Sequence, residues 1–221
     1  MNGLRVKICG INSEAAFDTA IEAGADWVGF VFFPRSPRFV APQRAAQLSL
    51  RHLGGPPRVG LFVMPTEAAI ATALGALSLD ILQIYAPPER AAWLGQRFGR
   101  PVWRAVGVAG PDDLPSEAEG ADALLIEAKA PLDSARPGGN AQCFDWSVLA
   151  GWRAPAPWLL AGGLTPQNVA QAIHVTGASA VDVSSGVERN PGVKDPALIR
   201  AFIAAARAAA GAGNIRRHRV F

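Results

Sequence analysis

The chain is predicted to fold as one α/β domain, a single (β/α)8 TIM barrel with its site on the C-terminal face of the strands. Three observations predict it. Eight short apolar, β-branched runs alternate with longer Ala-rich stretches of helical spacing. Several of those runs are continuously apolar, as parallel strands buried on both faces are. The length of 221 residues suits one compact barrel with short loops. The rival, an open doubly wound sheet, uses five or six strands in fewer residues.

The elements follow in order. The first strand run is Arg5–Ile8. Between Glu14 and Ala23, Phe17, Ala20, Ile21 and Gly24 share one helical face, and Asn12-Ser13 supplies the cap. Trp27–Phe32 is the second run. Arg58–Phe62 is the third, entered through the loop Gly54-Gly55-Pro56-Pro57. Ile81–Ile84 and Val102–Val106 are the fourth and fifth, and residues 109–118 read as a loop within the repeat. Ala123–Glu127, Trp158–Ala161 and Ala180–Val183 complete the eight. Thr165-Pro166 is expected to open the seventh helix. Asp195-Pro196 is expected to open the last, where Leu198, Ile199, Phe202, Ile203 and Ala206 share a face between Pro196 and Ala209. Gly24-Ala25-Asp26, Gly120-Ala121-Asp122 and Gly177-Ala178-Ser179 each precede a strand. They read as a repeated helix stop in which glycine takes the left-handed conformation. Residues 1–210 are assigned to the barrel and residues 211–221 to a basic, flexible tail.

Composition excludes several classes. Half of the residues are hydrophobic and 18% are charged, which indicates a folded chain with a large core. The net charge of +3 comes from Arg216, Arg217 and Arg219; without them basic and acidic residues balance, so nucleic acid is not an expected partner. No apolar run is long enough to span a membrane. The start, Met1-Asn2-Gly3-Leu4-Arg5-Val6-Lys7, lacks the apolar stretch of a signal peptide. Two cysteines form no disulfide framework, and no Cys/His spacing reads as a metal site. A cytoplasmic protein is expected, monomer or homodimer, with no metal and no cofactor.

In a barrel, chemistry sits where strands end. Cys9 ends the first strand, and Gly10 behind it permits close approach; the thiol is a reactive group or a small buried hydrophobe. Arg38, in a loop stiffened by Pro34 and Pro37, offers a guanidinium fork suited to carboxylate or phosphate, and Arg35 could serve equally. Glu127 closes an apolar strand, which is costly unless its carboxyl reaches the mouth and works there as a general acid. Pairing with Lys129 is the alternative, and Asp133 is a looser competitor for the acid. Asp145 reads as the cap of a short helix. Pro137-Gly138-Gly139-Asn140 reads as a loop able to fold over a ligand. Ala161-Gly162-Gly163-Leu164 after the seventh strand and Asp182-Val183-Ser184-Ser185-Gly186-Val187-Glu188 at the end of the eighth resemble phosphate cradles at the place where barrels bind phosphate. His52, His174 and His218 end no strand.

These blocks together resemble the phosphoribosylanthranilate isomerase family. The likeness rests on Lys7-Ile8-Cys9-Gly10-Ile11, Gly24-Ala25-Asp26-Trp27-Val28-Gly29-Phe30, Ser36-Pro37-Arg38, Pro137-Gly138-Gly139-Asn140 with Phe144-Asp145-Trp146, Ala161-Gly162-Gly163-Leu164-Thr165-Pro166-Gln167-Asn168-Val169, Val181-Asp182-Val183-Ser184-Ser185-Gly186-Val187-Glu188 and Gly192-Val193-Lys194-Asp195, running in order from about residue 4 to 206. The resemblance implies a cofactor-free Amadori rearrangement of a phosphorylated small molecule in tryptophan biosynthesis. It converts N-(5-phosphoribosyl)anthranilate to 1-(2-carboxyphenylamino)-1-deoxyribulose 5-phosphate. It implies Cys9 as general base, Glu127 as general acid and Arg38 on the anthranilate carboxylate. A thiolate base calls for a positive field close by, and Lys7 stands two residues earlier. Gln83, Gly139, Gly162, Gly163, Asp182, Ser184, Ser185 and Gly186 would lie around the rest of the substrate. The chain departs from the family pattern in three places. Glu127 stands where the family usually has Asp, Tyr85-Ala86 where it usually has His-Gly, and Asn12 where it usually has Thr. The alternatives are a non-catalytic phosphosugar-binding paralogue and a related phosphosugar isomerase on the same barrel.

Overall fold

A computed structural model describes residues 3–131, 138 and 143–217, with side chains to residue 211. Eight parallel strands close into a barrel in sequential order: β1 (Arg5–Cys9), β2 (Trp27–Val31), β3 (Arg58–Val63), β4 (Ile81–Tyr85), β5 (Val102–Val108), β6 (Ala123–Ala128), β7 (Trp158–Leu160) and β8 (Ala180–Val183). Each expected strand is present, with ends moved by at most two residues. A two-stranded hairpin, β9 (Glu188–Asn190) and β10 (Val193–Lys194), follows the eighth strand.

Six α-helices lie among the described residues: α1 (Glu14–Glu22), α2 (Pro42–Ser49), α3 (Glu67–Ala76), α4 (Pro88–Phe98), α5 (Val169–Thr176) and α6 (Pro196–Arg217). A full repeat would have eight. After β5 and β6 the described residues make 3-10 turns, Pro111–Asp113 and Trp146–Leu149, where a full repeat would have helices. Pro111 and Pro115, and then Pro155 and Pro157, interrupt any helical run there. Indole rings take over part of the cover: Trp152 packs edge-on against Trp158 of β7 at 5.5 Å and donates its Nε1–H to the Pro115 carbonyl.

Two of the three expected caps are in place. Ser13 Oγ accepts from the Ala16 N–H, and Asp195 accepts from the N–H groups of Ala197 and Leu198. The seventh helix departs from expectation. Thr165-Pro166 opens a turn, and α5 starts only at Val169 after Asn168, whose side chain instead accepts from the Thr165 N–H. α6 runs on to Arg217, past the boundary expected at residue 210.

The repeated Gly-Ala-Asp does more than stop a helix. Gly24, Gly120 and Gly177 all have positive φ. The aspartates of the first two, Asp26 and Asp122, together with Asp80 before β4, bolt neighbouring strands together at the end away from the mouth. Asp26 accepts from the Val6 N–H at 2.7 Å and returns its own N–H to the Val6 carbonyl. Asp80 does the same with Arg58, and Asp122 with Val102. So β2, β4 and β6 each clamp the strand before them.

Side chains alternate in and out along every strand, so the interior is built in layers. The lowest is a closed apolar plug of Trp27, Val59, Ile81, Trp103, Ala123, Leu159 and Ala180. Trp27 and Trp103 meet edge to face at 5.0 Å, and the Arg5 guanidinium lies over Trp27. Two residues further along the strands come Lys7, Gln83 and Asp182, all buried. Two further again come Cys9, Tyr85, Glu127 and Ser184, at the mouth. The main core lies outside the barrel, between strands and helices, with Phe17, Phe30, Phe62 and Phe202 at its centre.

Candidate functional site

The mouth holds one cavity, lined by Cys9, Arg38, Gln83, Tyr85, Glu127, Gly138, Gly162, Gly163, Asp182, Ser184 and Ser185 among others. Most of the residues singled out in the sequence therefore meet there. Gly186 does not line it, and Gly139 and Asp133 lie outside the described residues.

Cys9 is the last residue of β1 and is buried. Gly10 follows with a φ of 76°, and a Cβ there would come within 2.9 Å of Arg38 Cδ and 3.0 Å of Ser184 Oγ. A side chain at this position would displace both. Below the thiol, on the same strand and face, Lys7 is fully buried. Its Nζ lies 2.8 Å from Asp182 Oδ1 on β8, which stands directly opposite in register, and it hydrogen-bonds the Cys9 sulfur. Burial pushes the Cys9 thiol above its usual range, and the Lys7 charge works against that push. Burial also works to lower Lys7, but Asp182 and Cys9 carry it above the usual lysine value. The cluster is a thiol resting on a buried ion pair, with the cation as its nearer neighbour in chemistry.

Across the mouth, Glu127 near the end of β6 is buried. Lys129 does not pair with it; that ammonium takes Asp113 at 2.7 Å instead. The Tyr85 hydroxyl stands beside the Glu127 carboxyl, and burial, with the Glu127 charge next in weight, holds that phenol well above its ordinary value. Tyr85 and Glu127 also border a second, shallower cavity that includes Met64, Ala86, Gly107 and Lys129. The pair thus forms the wall between the two. Gln83, one layer lower, is fully buried, and neither its Oε1 nor its Nε2 has a partner among the described residues. Native interiors rarely leave a whole amide unsatisfied, so both of its polar atoms are open to bonding by water or by a molecule in the cavity it lines.

The two arginines differ in position. Arg35 is exposed, whereas Arg38 is buried and lines the cavity. Its Nε and Nη2 engage the two oxygens of Glu188 at 2.7 and 3.0 Å. Glu188 also accepts from Lys194 Nζ at 2.8 Å and from the Gly192 N–H. Burial would raise the Glu188 carboxyl, but Arg38 and Lys194 hold it below its usual range. Lys194 is buried, and that burial pulls it down to about 8 against the opposing Glu188. Its Nζ also donates to the Ser184 carbonyl and hydroxyl. Glu188 and Lys194 were not singled out from the sequence. Both stood in blocks that carried the resemblance, and their pairing with each other and with Arg38 shows only once the chain is folded.

The phosphate-side loops are tightly tied. Ser184 donates its hydroxyl to the Cys9 carbonyl, joining the ends of β8 and β1. The Gly163 carbonyl is taken by Asn168 Nδ2 at 2.9 Å and by the Cys143 thiol at 3.2 Å. Gly186 sits against the Leu164 carbonyl, where a Cβ would fall 1.8 Å from the oxygen. Only glycine lets the two loops approach so closely. Asp145, the expected cap, accepts from the Ser147 N–H. Among the described residues no group of three His, Cys, Asp or Glu could hold a metal ion, and no helix is long and apolar enough to cross a membrane.

Comparison with known proteins agrees with this geometry. The family described as N-(5'-phosphoribosyl)anthranilate (PRA) isomerase matches residues 6–205. The N-(5'-phosphoribosyl)anthranilate isomerase of Acidiphilium cryptum is 58% identical over 208 residues, covering 93% of this chain and 99% of that protein. The crystal structure of phosphoribosyl anthranilate isomerase from Thermotoga maritima is similar with a TM-score of 0.79 at 36% identity, over 93% of this chain and 99% of that one. A crystal structure of phosphoribosyl anthranilate isomerase in complex with reduced 1-(o-carboxyphenylamino)-1-deoxyribulose 5-phosphate gives a TM-score of 0.76 at 35% identity, over 93% and 99% of the two chains.

Proposed function

The chain belongs to the N-(5'-phosphoribosyl)anthranilate isomerase family, and from that premise we propose that its mouth cavity carries out the family's Amadori rearrangement with Cys9 as base and Glu127 as acid. The observation that carries the reading is that a thiol and a carboxyl open into one cavity whose rim is formed by Gly162-Gly163 and Ser184-Ser185. A relative of the same fold binds a reduced form of the phosphorylated product.

The substrate's phosphate lies against the loops after β7 and β8, and its anthranilate carboxylate lies near Arg38. The Glu127 carboxyl gives its proton to the furanose ring oxygen as the bond from that oxygen to C1 breaks, leaving a Schiff base. The Cys9 thiolate then removes the C2 proton, and the electron pair moves to give the enolamine. On tautomerisation C1 gains the proton held by the thiol, and the enol hydroxyl returns one to the carboxylate. Both residues end as they began, and no co-reactant is consumed. Gln83 offers an amide to a sugar hydroxyl. Asp182 acts from below through Lys7. The protein works in the cytoplasm, as monomer or homodimer, on this small phosphorylated substrate.

The test is the loss of anthranilate-type fluorescence as purified protein consumes phosphoribosylanthranilate generated in situ. Cys9→Ala and Glu127→Gln should each lower kcat/KM by about 10²- to 10⁴-fold, the usual weight of a general base or acid. Binding of a product-like phosphosugar should survive in both. Wild-type protein that binds the phosphosugar without turning over would identify a binding paralogue instead. Full activity in either variant would remove that residue from its role.

A further inference from the structure

The Tyr85 hydroxyl and the Glu127 carboxyl meet across the mouth from strands two apart in the barrel. They stand in the same inward-facing layer. β4 pairs with β5 through Gln83 opposite Trp103, and β5 pairs with β6 through Gly107 opposite Glu127. Both residues line the main cavity and both line the cavity beside it. A glutamate has one more rotatable bond than an aspartate, so its carboxyl needs more constraint to stay on one atom of a substrate. The structure supplies it from two sides. The phenol faces the carboxyl, and the Gly138 backbone covers both groups so closely that a Cβ there would lie 2.7 Å from Tyr85 Oη and from one carboxylate oxygen, and nearer still to the other.

We propose that Tyr85 is the positioning residue for the acid, holding the long Glu127 side chain at the reacting oxygen through its hydroxyl. This rests on the assignment of Glu127 made above. A phenol suits the task because it donates to a carboxylate and accepts from a carboxylic acid, so the contact persists when the proton is transferred. It also biases the acid, since a donated hydrogen bond favours the ionised carboxyl. Among the described residues, the titratable and charged groups facing the pair are Cys9 on β1 and Asp182 on β8, with Arg38 and Lys129 at the rims of the two cavities.

Tyr85→Phe keeps the ring and removes the donor. The expected result is a fall in kcat of about 10- to 100-fold with KM changed less than about twofold. The alkaline limb of the kcat/KM profile should move up by about one pH unit, because the carboxyl without its donor keeps its proton longer. Tyr85→His, which restores a donor, should recover part of kcat. A second readout needs no turnover. Tyr85 is the chain's single tyrosine, so the phenolate absorbance band reports it alone. In Glu127→Gln, which removes the facing charge, phenolate should form at lower pH than in the wild type, followed where circular dichroism shows both folded. Absence of wild-type isomerase turnover would overturn the functional reading, and this inference with it. Normal turnover with unaltered kcat and pH profile in Tyr85→Phe, or an unaltered phenol titration in Glu127→Gln, would overturn the inference alone.

Discussion

Lys7→Met replaces a fully buried ammonium with an apolar side chain of similar length. Two consequences follow from the geometry. Lys7 Nζ and Cys9 Sγ both lie close to 3 Å from one point above Gly29, so they are no more than about 6 Å apart. At that spacing and an effective dielectric of about 20, the ammonium favours a thiolate by about 3 kcal/mol. That equals about two pKa units, or a thiolate population about a hundredfold smaller at neutral pH once the charge is gone. Burial already pushes the thiol up, and the Lys194 charge that still opposes it weighs less than the Lys7 charge that is lost. kcat/KM near neutrality should fall by roughly the same factor of 100 and should climb with pH over a higher range than in the wild type. The second consequence is on stability. Asp182 loses its partner at 2.8 Å, and breaking a buried pair from one side costs about 3–5 kcal/mol. The assay is the pH dependence of kcat/KM beside the pH dependence of Cys9 alkylation by iodoacetamide, in a background where exposed Cys143 is replaced by serine. Thermal melts record stability separately. Wild-type kcat/KM with an unshifted alkylation profile in Lys7→Met would refute the argument, whatever the melt shows.

Asp122→Ala removes the acceptor of the Val102 N–H and should cost about 1–3 kcal/mol in denaturant unfolding, whereas Asp122→Asn, which keeps an acceptor, should recover most of it. Trp103→Ala opens the plug beneath the barrel and should cost about 3–5 kcal/mol with KM unchanged, as steady-state kinetics on the folded fraction would record. Lys194, pulled down to about 8 by burial, is charged in the folded protein below that pH and loses its charge above it. Calorimetric binding of inorganic phosphate should therefore weaken as pH rises through about 8 in the wild type but not through that step in Lys194→Met. The sign reverses for folding: an unfolded lysine keeps its proton to higher pH, so this group's contribution to stability rises with pH above its folded value.

The barrel was legible because its strands are buried on both faces and so appear as bare apolar runs between turn residues. Leu124-Leu125-Ile126 is such a run, and a carboxylate closing it makes Glu127 stand out in the bare sequence. Cys9 and the two loops after the seventh and eighth strands were visible for a related reason: the fold fixes where strands end. What stayed hidden depends on partners far apart in sequence. Lys7 and Asp182 are separated by 175 positions, and Arg38 and Glu188 by 150. Only barrel closure brings β8 beside β1 and reveals that a lysine in an apolar strand has an acid to meet. The Gly-Ala-Asp echo was visible as a helix stop, but its carboxylates have work only in the register of neighbouring strands. Helical spacing also overcounted: Gly120 adopts the expected positive φ, yet the turn before it is stabilised by cover from Trp152 rather than by a helix. Tyr85 was noticed as a departure from the family, but its place beside Glu127 needed the barrel's cross-section.

The interior shows why the chemistry stands where it does. A barrel built for stability alone fills its layers with branched apolar side chains. This one does so only at the bottom, where the two tryptophans and the aspartate clamps join the strands. One layer higher it holds an ion pair and an amide with no partner among the described residues. Each is a cost: the buried amide alone forgoes about 1–3 kcal/mol, and an ion pair in a dry interior does no better than break even against an apolar replacement. Those costs buy a fixed positive charge beneath the thiol and a hydrogen-bonding group facing the cavity. They are tolerable because the layer beneath is closed and the helices outside bury the main core. The polar layer is therefore the foundation of the site, and the loops above it can tighten or vary without moving the charges that set its reactivity.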